Sequence, residues 1–337
     1  MKKNKPAELL RIKPQAAEFG PDLPAEPMER LVYFARLAPS SHNSQPWKFV
    51  LERDAIDLFA DLSRWLRVAD RGRRELYLSL GCALESLLVA ADHEGFGSEV
   101  RLFPVAADDS YVCRIEIRRA GPKRERSAAN LVHAIPRRHT SHRDFDPARP
   151  LAEHDLAWLR EAPEGESVAL HYLGAGERGA LEDLLARAEA KLLADPAYRA
   201  ELGAWIGEGA LGTSWLLSKL GQFAFSQLPA AERYARSESA RLAAAPHIGL
   251  LSTPGDTSVD QVRAGQAYLR IALMAESHDV RVQPFSAPLE LDETRAAVGQ
   301  LFALGVRRPQ QLFRLGYAEP EAVRTRRRAL REVLVRA

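Results

Sequence analysis

Two stretches of this chain share one frame, and that pairing limits the architecture more than any other feature. Gly81-Cys82-Ala83-Leu84-Glu85-Ser86-Leu87-Leu88-Val89-Ala90-Ala91-Asp92 can be laid over Gly265-Gln266-Ala267-Tyr268-Leu269-Arg270-Ile271-Ala272-Leu273-Met274-Ala275-Glu276. Each copy opens with Gly-x-Ala and closes with Ala before an acid. Leu76, Leu80, Leu84, Leu87, Leu88 and Ala91 fill one broad helical face over 73–95, which Gly95 and Gly97 end. The second copy reads as a buried helix over 259–278. Two readings stand: a duplicated αβ unit, or two unrelated apolar helices that look alike. Duplication would place one ligand crevice between the halves.

The remaining pattern gives a helix at 28–37, a hairpin from strands 47–52 and 55–60, and a strand at 112–118. Gly121 and Pro122 open a charged connector. The expected organisation is an extended arm over 1–27, a first half over 28–125 and a second half over 126–337. Within the second half the pattern predicts helices at 152–160 and 177–194 and strands at 167–173, 248–252 and 312–315. The excursion 195–245 is rich in Ala, Gly and aromatic residues, and its pattern determines no fold.

Composition narrows the function classes. With 337 residues, 46% of them hydrophobic and 27% charged, the chain is neither a disordered tail nor a disulfide-stapled miniprotein. Lys and Arg total 47 against 45 acids, so a net charge of +2 gives no support to nucleic-acid binding. Cys82 and Cys113 lack metal or disulfide spacing, no secretory signal is apparent, and Glu208 and Lys219 interrupt the most apolar stretch. The expected setting is therefore cytoplasmic, with no metal and no membrane partner.

Three segments concentrate polar chemistry. Pro39-Ser40-Ser41-His42-Asn43-Ser44-Gln45-Pro46 holds hydroxyls, an imidazole and amides between two prolines, which lower the ordering cost of a ligand loop. The same residues could simply cap and satisfy a turn. Arg137-Arg138-His139-Thr140-Ser141-His142-Arg143 offers guanidinium forks and hydroxyls suited to a phosphate monoester, or else a solvated charged linker. Arg324-Thr325-Arg326-Arg327-Arg328 is a third basic run. No GxGxxG after a first strand, no GxxxxGK[ST], no zincin motif and no G-x-S-x-G elbow occurs.

Taken in order, these segments resemble the nitroreductase-like superfamily of FMN-binding flavoproteins, closest to its single-chain, two-repeat Acg-type branch. The resemblance rests on Ala38-Pro39-Ser40-Ser41-His42-Asn43-Ser44-Gln45-Pro46-Trp47-Lys48-Phe49, on Ala60-Asp61-Leu62-Ser63-Arg64, on Arg74-Glu75-Leu76, on Arg137-Arg138-His139-Thr140 with Arg143 and Phe145, and on Leu315-Gly316-Tyr317 with the terminal basic run. It covers about residues 28–333. It implies an α+β, nitroreductase-like fold whose two tandem halves form an intramolecular pseudo-dimer with one complete FMN site. A monomer would suffice for that site, and a homodimer is left open.

By the same resemblance, Arg137, Arg138, His139, Thr140 and Arg143 would hold the FMN phosphate and ribityl chain, with Arg324 and Arg327 as further phosphate donors, or Arg326 and Arg328 in their stead. Ser40, Ser41 and Asn43 would reach the flavin from the opposite half, with Gln45 and Trp47 in support. The implied activity is transfer of hydride from NADH or NADPH through FMN to a nitroaromatic, quinone-like or other conjugated small-molecule acceptor. Alternatives are a flavin-sequestering protein with little turnover and a flavin-dependent tailoring enzyme for a specialised substrate. FMN carries the redox chemistry, so no side-chain nucleophile or base is required. Residues 195–245, with Trp205, Trp215, Phe223 and Phe225, are expected to cover the flavin.

Overall fold

A computed structural model describes residues 19, 22–118, 129–163, 165, 167–174, 176–208, 221, 228–319, 321 and 325–335. The first half contains α1 (Pro27–Ala35), β1 (Trp47–Leu51), β2 (Ala55–Ala60), α2 (Arg74–Glu94), β3 (Gly97–Leu102) and β4 (Tyr111–Arg118). The second contains α3 (Glu153–Arg160), β5 (Ala169–Tyr172), α4 (Arg178–Ala194), α5 (Pro196–Gly207), α6 (Leu228–Ala243), β6 (His247–Thr253), α7 (Ser258–Ser277), β7 (Arg281–Phe285), α8 (Ala287–Glu290), α9 (Asp292–Leu301) and β8 (Arg308–Gly316). A single turn α10 (Leu330–Val333) and the strand β9 (Leu334–Val335) follow.

The repeat is a repeat of topology. One sheet runs β3-β4-β2-β1 before β9 is added, and the other runs β7-β8-β6-β5. In each half the neighbouring strands are antiparallel, and the long helix lies between the second and third strands. β9 joins the first sheet in parallel at β1, pairing Phe49 with Leu334. The strand at the end of the second half in sequence thus joins the sheet of the first.

The two glycines of the repeat explain how the halves meet. A Cβ on Gly81 would stand 2.0 Å from the Val262 carbonyl oxygen, and one on Gly265 would stand 2.0 Å from that of Leu78. Only glycine lets α2 and α7 approach this closely. The Cys82 thiol donates to the Gly265 carbonyl at 3.2 Å, and Arg270 closes on Glu85 at 2.7 Å in a buried ion pair. Leu80, Leu84, Leu87, Ile271 and Leu273 are fully buried in one apolar cluster drawn from both halves.

Capping sets the ends of these helices. Thr257 and Asp260 form a reciprocal capping box at the start of α7. At α2 the carboxylate of Asp70 accepts from the backbone N–H of Glu75 at 3.1 Å and of Leu76 at 2.8 Å. Gly95, at φ 80°, ends α2 in the left-handed conformation. β7 escaped the sequence pattern because Pro284 sits within it; the strand lies at a sheet edge, where the missing N–H costs no ladder bond. Among the described residues, no helix is long and apolar enough to cross a membrane and no group of three metal-ligating side chains occurs.

Candidate functional site

A cavity of about 530 Å³ opens between the halves. Its rim collects Ser40, Ser41 and Asn43 from the first half, Arg138, His139 and Thr140 from the second, and Arg327 from the closing segment. Chain folding therefore gathers three segments that are remote in sequence around one space.

The loop is held in an unusual backbone. His42, Asn43 and Gln45 have φ of 50°, 52° and 50°, all left-handed and all without glycine's freedom. The contacts that enforce it are visible. The Ser40 hydroxyl accepts from the Gln45 N–H at 2.9 Å, and the Ser41 N–H donates to the Ser79 hydroxyl at 3.2 Å. Ser41 also donates its hydroxyl to Glu75. Asn43 bridges to the closing segment, donating from Nδ2 to the Arg326 carbonyl at 3.0 Å and accepting at Oδ1 from Arg327 at 2.9 Å.

Gln45 lies beside the main cavity, outside its lining. It accepts from the Arg328 N–H at 2.7 Å and donates to the Arg326 carbonyl at 3.3 Å, so it ties down the closing segment. Trp47 is fully buried in the core.

The basic segment divides. Arg138 is buried and lines the cavity, with His139 and Thr140 next to it; Thr140 bridges to Val282 of β7, which fixes its height. Arg137 and Arg143 are exposed and line no part of it. Arg143 instead approaches Glu321 at 3.8 Å, and Glu321 also meets His139 at 3.2 Å. Arg324 lies outside the described residues, as do Trp215, Phe223 and Phe225.

Several lining residues were not among the expected site residues. Glu75, Ser79 and Cys82 come from α2, Glu189 from α4, Glu238 from α6, Gln283 from β7 and Glu290 from α8. Glu75 and Cys82 fall within the quoted matches, but nothing local marks either of them, or the acids Glu189, Glu238 and Glu290, as facing a cavity. From the excursion, Tyr198, Leu202 and Ile206 of α5 and Ala235 of α6 add an apolar wall.

The buried acids are compensated in different ways. Glu75 takes an ion pair with Arg74 at 2.8 Å, which with Ser41 holds its carboxyl below the ordinary range against the cost of burial. Burial, then the charge of Glu75, push Glu290 up to about 8, so it is protonated at neutral pH. Burial likewise raises Glu189 to about 7. Glu238 accepts from Gln283 at 2.5 Å and also pairs with Arg241; His142 and Arg241 together keep it low against burial. Burial lowers His42, leaving its imidazole neutral with Nδ1 unpartnered. The Cys82 thiol is pushed up to about 12 by burial and is no nucleophile.

Comparison with known proteins adds a fold and relatives. No family model matches the chain. Over 314 residues it is 29% identical to the provisionally named NAD(P)H nitroreductase Rv3131 of Mycobacterium tuberculosis (strain ATCC 25618 / H37Rv), covering 87% of this chain and 86% of that protein. Over 178 residues it is 32% identical to the provisionally named NAD(P)H nitroreductase acg of the same strain, covering 52% of this chain and 53% of that one. A crystal structure of a provisionally identified nitroreductase from Anabaena variabilis (ATCC 29413) matches with a TM-score of 0.54 at 10% identity, over 87% of this chain and 88% of its own.

Proposed function

We propose that this chain, with its α+β pseudo-dimeric fold, is a member of the nitroreductase-like superfamily and an FMN-dependent oxidoreductase. It would pass reducing equivalents from NADH or NADPH to a small conjugated acceptor such as a nitroaromatic or a quinone. The naming of its mycobacterial relatives as NAD(P)H nitroreductases supports the reaction class. The observation that carries the reading is the meeting of Asn43, Arg138 and Arg327 on one cavity.

The residues present fit FMN. A volume of about 530 Å³ falls within the ordinary range for small-ligand sites. Arg138 and Arg327 offer charge-assisted donors for a phosphate, Ser40, Asn43 and Thr140 offer groups for a polyhydroxyl chain, and Leu78, Leu193 and Phe285 offer apolar surface for a ring. Protonation of Glu290 and the pairing of Glu75 with Arg74 remove two negative charges that would oppose a dianion. Bound FMN would supply hydride acceptance at its N5 and transfer onward to the acceptor. The chain's own work is to hold the phosphate, orient the ring and exclude water, and it needs no triad.

A second reading is favoured by one feature. Tyr198, Leu202 and Ile206 of α5 line the cavity from the excursion, which supports a built-in cover of the site. If that cover excludes acceptors, the chain sequesters flavin with little turnover. The absorption spectrum of the purified chain, with mass identification of the cofactor released on denaturation, tests FMN binding, and a colourless chain that takes up no FMN refutes it. Fast anaerobic bleaching by NAD(P)H, then recovery with an acceptor, supports the enzyme. Slow bleaching despite tight FMN binding supports sequestration.

A further inference from the structure

Beside the main cavity lies a smaller cleft of about 270 Å³ whose lining is polar and basic. It shares His42, Asn43 and Arg327 with the main cavity, so a single extended ligand can occupy both. The smaller cleft adds Arg64, Arg326 and Arg328, giving four guanidinium groups with Arg327 against the carboxylates of Glu208 and Glu332. Trp205, from the start of the excursion, forms one wall.

The arginines of this cleft differ in how far the protein satisfies them. Arg328 is fully engaged, donating to the Gln45 carbonyl at 2.9 Å and the Glu332 carbonyl at 2.8 Å and pairing with Asp61 at 3.3 Å. Arg64 uses only Nε, on the Ser44 carbonyl, and its terminal nitrogens make no hydrogen bond among the described residues. Its guanidinium lies 5.1 Å from the centre of the Trp205 ring. Arg326 is exposed, and its side chain has no partner among the described residues. Burial, and then the neighbouring charge of Arg328, lower the Arg64 pKa from its ordinary value against the carboxylates of Asp61, Glu208 and Glu332.

We propose that this cleft is the anchor for the 2′-phosphorylated adenosine end of NADPH, which makes NADPH the preferred electron donor. The inference rests on the flavin reading above and deepens it. The terminal nitrogens of Arg64 and the side chain of Arg326 suit a phosphate monoester, which accepts several charge-assisted bonds at once. The Trp205–Arg64 pair supplies a planar platform of the kind on which purines stack. NADH carries a hydroxyl where NADPH carries this phosphate, so it would leave both arginines without their anion. Continuity past His42, which lines both spaces, lets the nicotinamide end reach the larger one.

The test uses the full chain loaded with FMN. Isothermal titration compares adenosine 2′,5′-bisphosphate with 5′-AMP, and anaerobic stopped-flow bleaching gives the Kd for NADPH and for NADH. The expected results are at least tenfold tighter binding of the bisphosphate and of NADPH, weakening as salt rises. Arg326→Gln and Arg64→Gln should each weaken NADPH about tenfold while NADH binding and flavin content stay within twofold. Arg326 is exposed, so its variant keeps the test open if Arg64→Gln fails to fold. Equal affinity for the two nucleotides, with flavin bound, overturns this proposal and leaves the flavin reading intact. Loss of FMN from Arg326→Gln would assign the cleft to the flavin's own phosphate and also overturns it. A wild-type chain that binds no FMN defeats both readings.

Discussion

Replacing Gly81 by Ala probes the contact that joins the two halves. The new Cβ would lie 2.0 Å from the Val262 carbonyl oxygen, whereas real Cβ contacts essentially never fall below 3.0 Å, so α2 and α7 must part by about 1 Å or more. The obstructing atoms are backbone and cannot rotate away, which puts the cost near the top of the overpacking range of about 1–3 kcal/mol. Alanine's better helix propensity returns roughly 0.5–1 kcal/mol. A net loss of about 2 kcal/mol is expected, a urea midpoint shift on the order of 0.5 M for a chain of this size. Leu78, Ser79 and Cys82 of α2 and Tyr268 of α7 line the cavity within about a turn of these glycines, so FMN retention should fall as well. Gly81→Ala with Gly265→Ala should cost less than the two single changes together, because one parting of the helices relieves both clashes. A Gly81→Ala chain as stable as its parent would refute the close-crossing argument.

Three further outcomes follow from the site. Arg138→Ala should lower FMN affinity by about 2 kcal/mol, roughly 30-fold, in a fluorescence titration, and unchanged affinity would remove Arg138 from the phosphate role. Asn43→Ala loses the bridges to Arg326 and Arg327 and should speed FMN release about tenfold without unfolding the chain; an unaltered spectrum and off-rate would make Asn43 merely structural. Burial, with the charge of Glu75, pushes Glu290 up to about 8 and Asp70 up to about 7, so the folded chain keeps protons that the unfolded chain sheds at its ordinary carboxyl values. Stability therefore falls as pH rises from about 5 to about 8 and then levels. Glu290→Gln should flatten that slope and gain on its parent at pH 8 more than at pH 5, and parallel urea-denaturation profiles for the two chains would count against it.

What was legible in the sequence was local or periodic. The strand Ala55–Ala60 and the helices Arg74–Glu94 and Ser258–Ser277 lie within a residue of the expected bounds, because their apolar spacing is unbroken and their ends carry Gly or capping acids. Gly81 and Gly265 were visible as a repeat, though not as the crossing point, since a single sequence does not say which helix meets which. β3 and β7 were missed: one is a short edge strand with polar alternation, the other contains Pro284. The site was legible where its residues cluster in sequence, at 39–45 and 137–143. Which arginine of a basic run turns inward depends on tertiary partners, and so Arg138 faces the cavity while Arg137 and Arg143 do not. Glu290 was silent, and Glu75 was visible only within Arg74-Glu75-Leu76 and not as a site residue, because a buried acid on a helix looks like a solvated one until its surroundings are known. The 195–245 excursion gave no period, yet α5 and α6 line the cavity from it.

Asn43 and the Arg326 carbonyl it holds are separated by 283 positions. At roughly 5–20 residues per second, the ribosome delivers the polar loop some 15–60 s before the segment that braces it. During that interval the left-handed residues of the loop lack their outside support, and β1 has a bare edge where β9 will pair. Bracing of the loop is thus a late event in the birth of this protein: a nascent chain stalled short of residue 325 has most of its core and the polar loop, but not the segment that holds Asn43 in place.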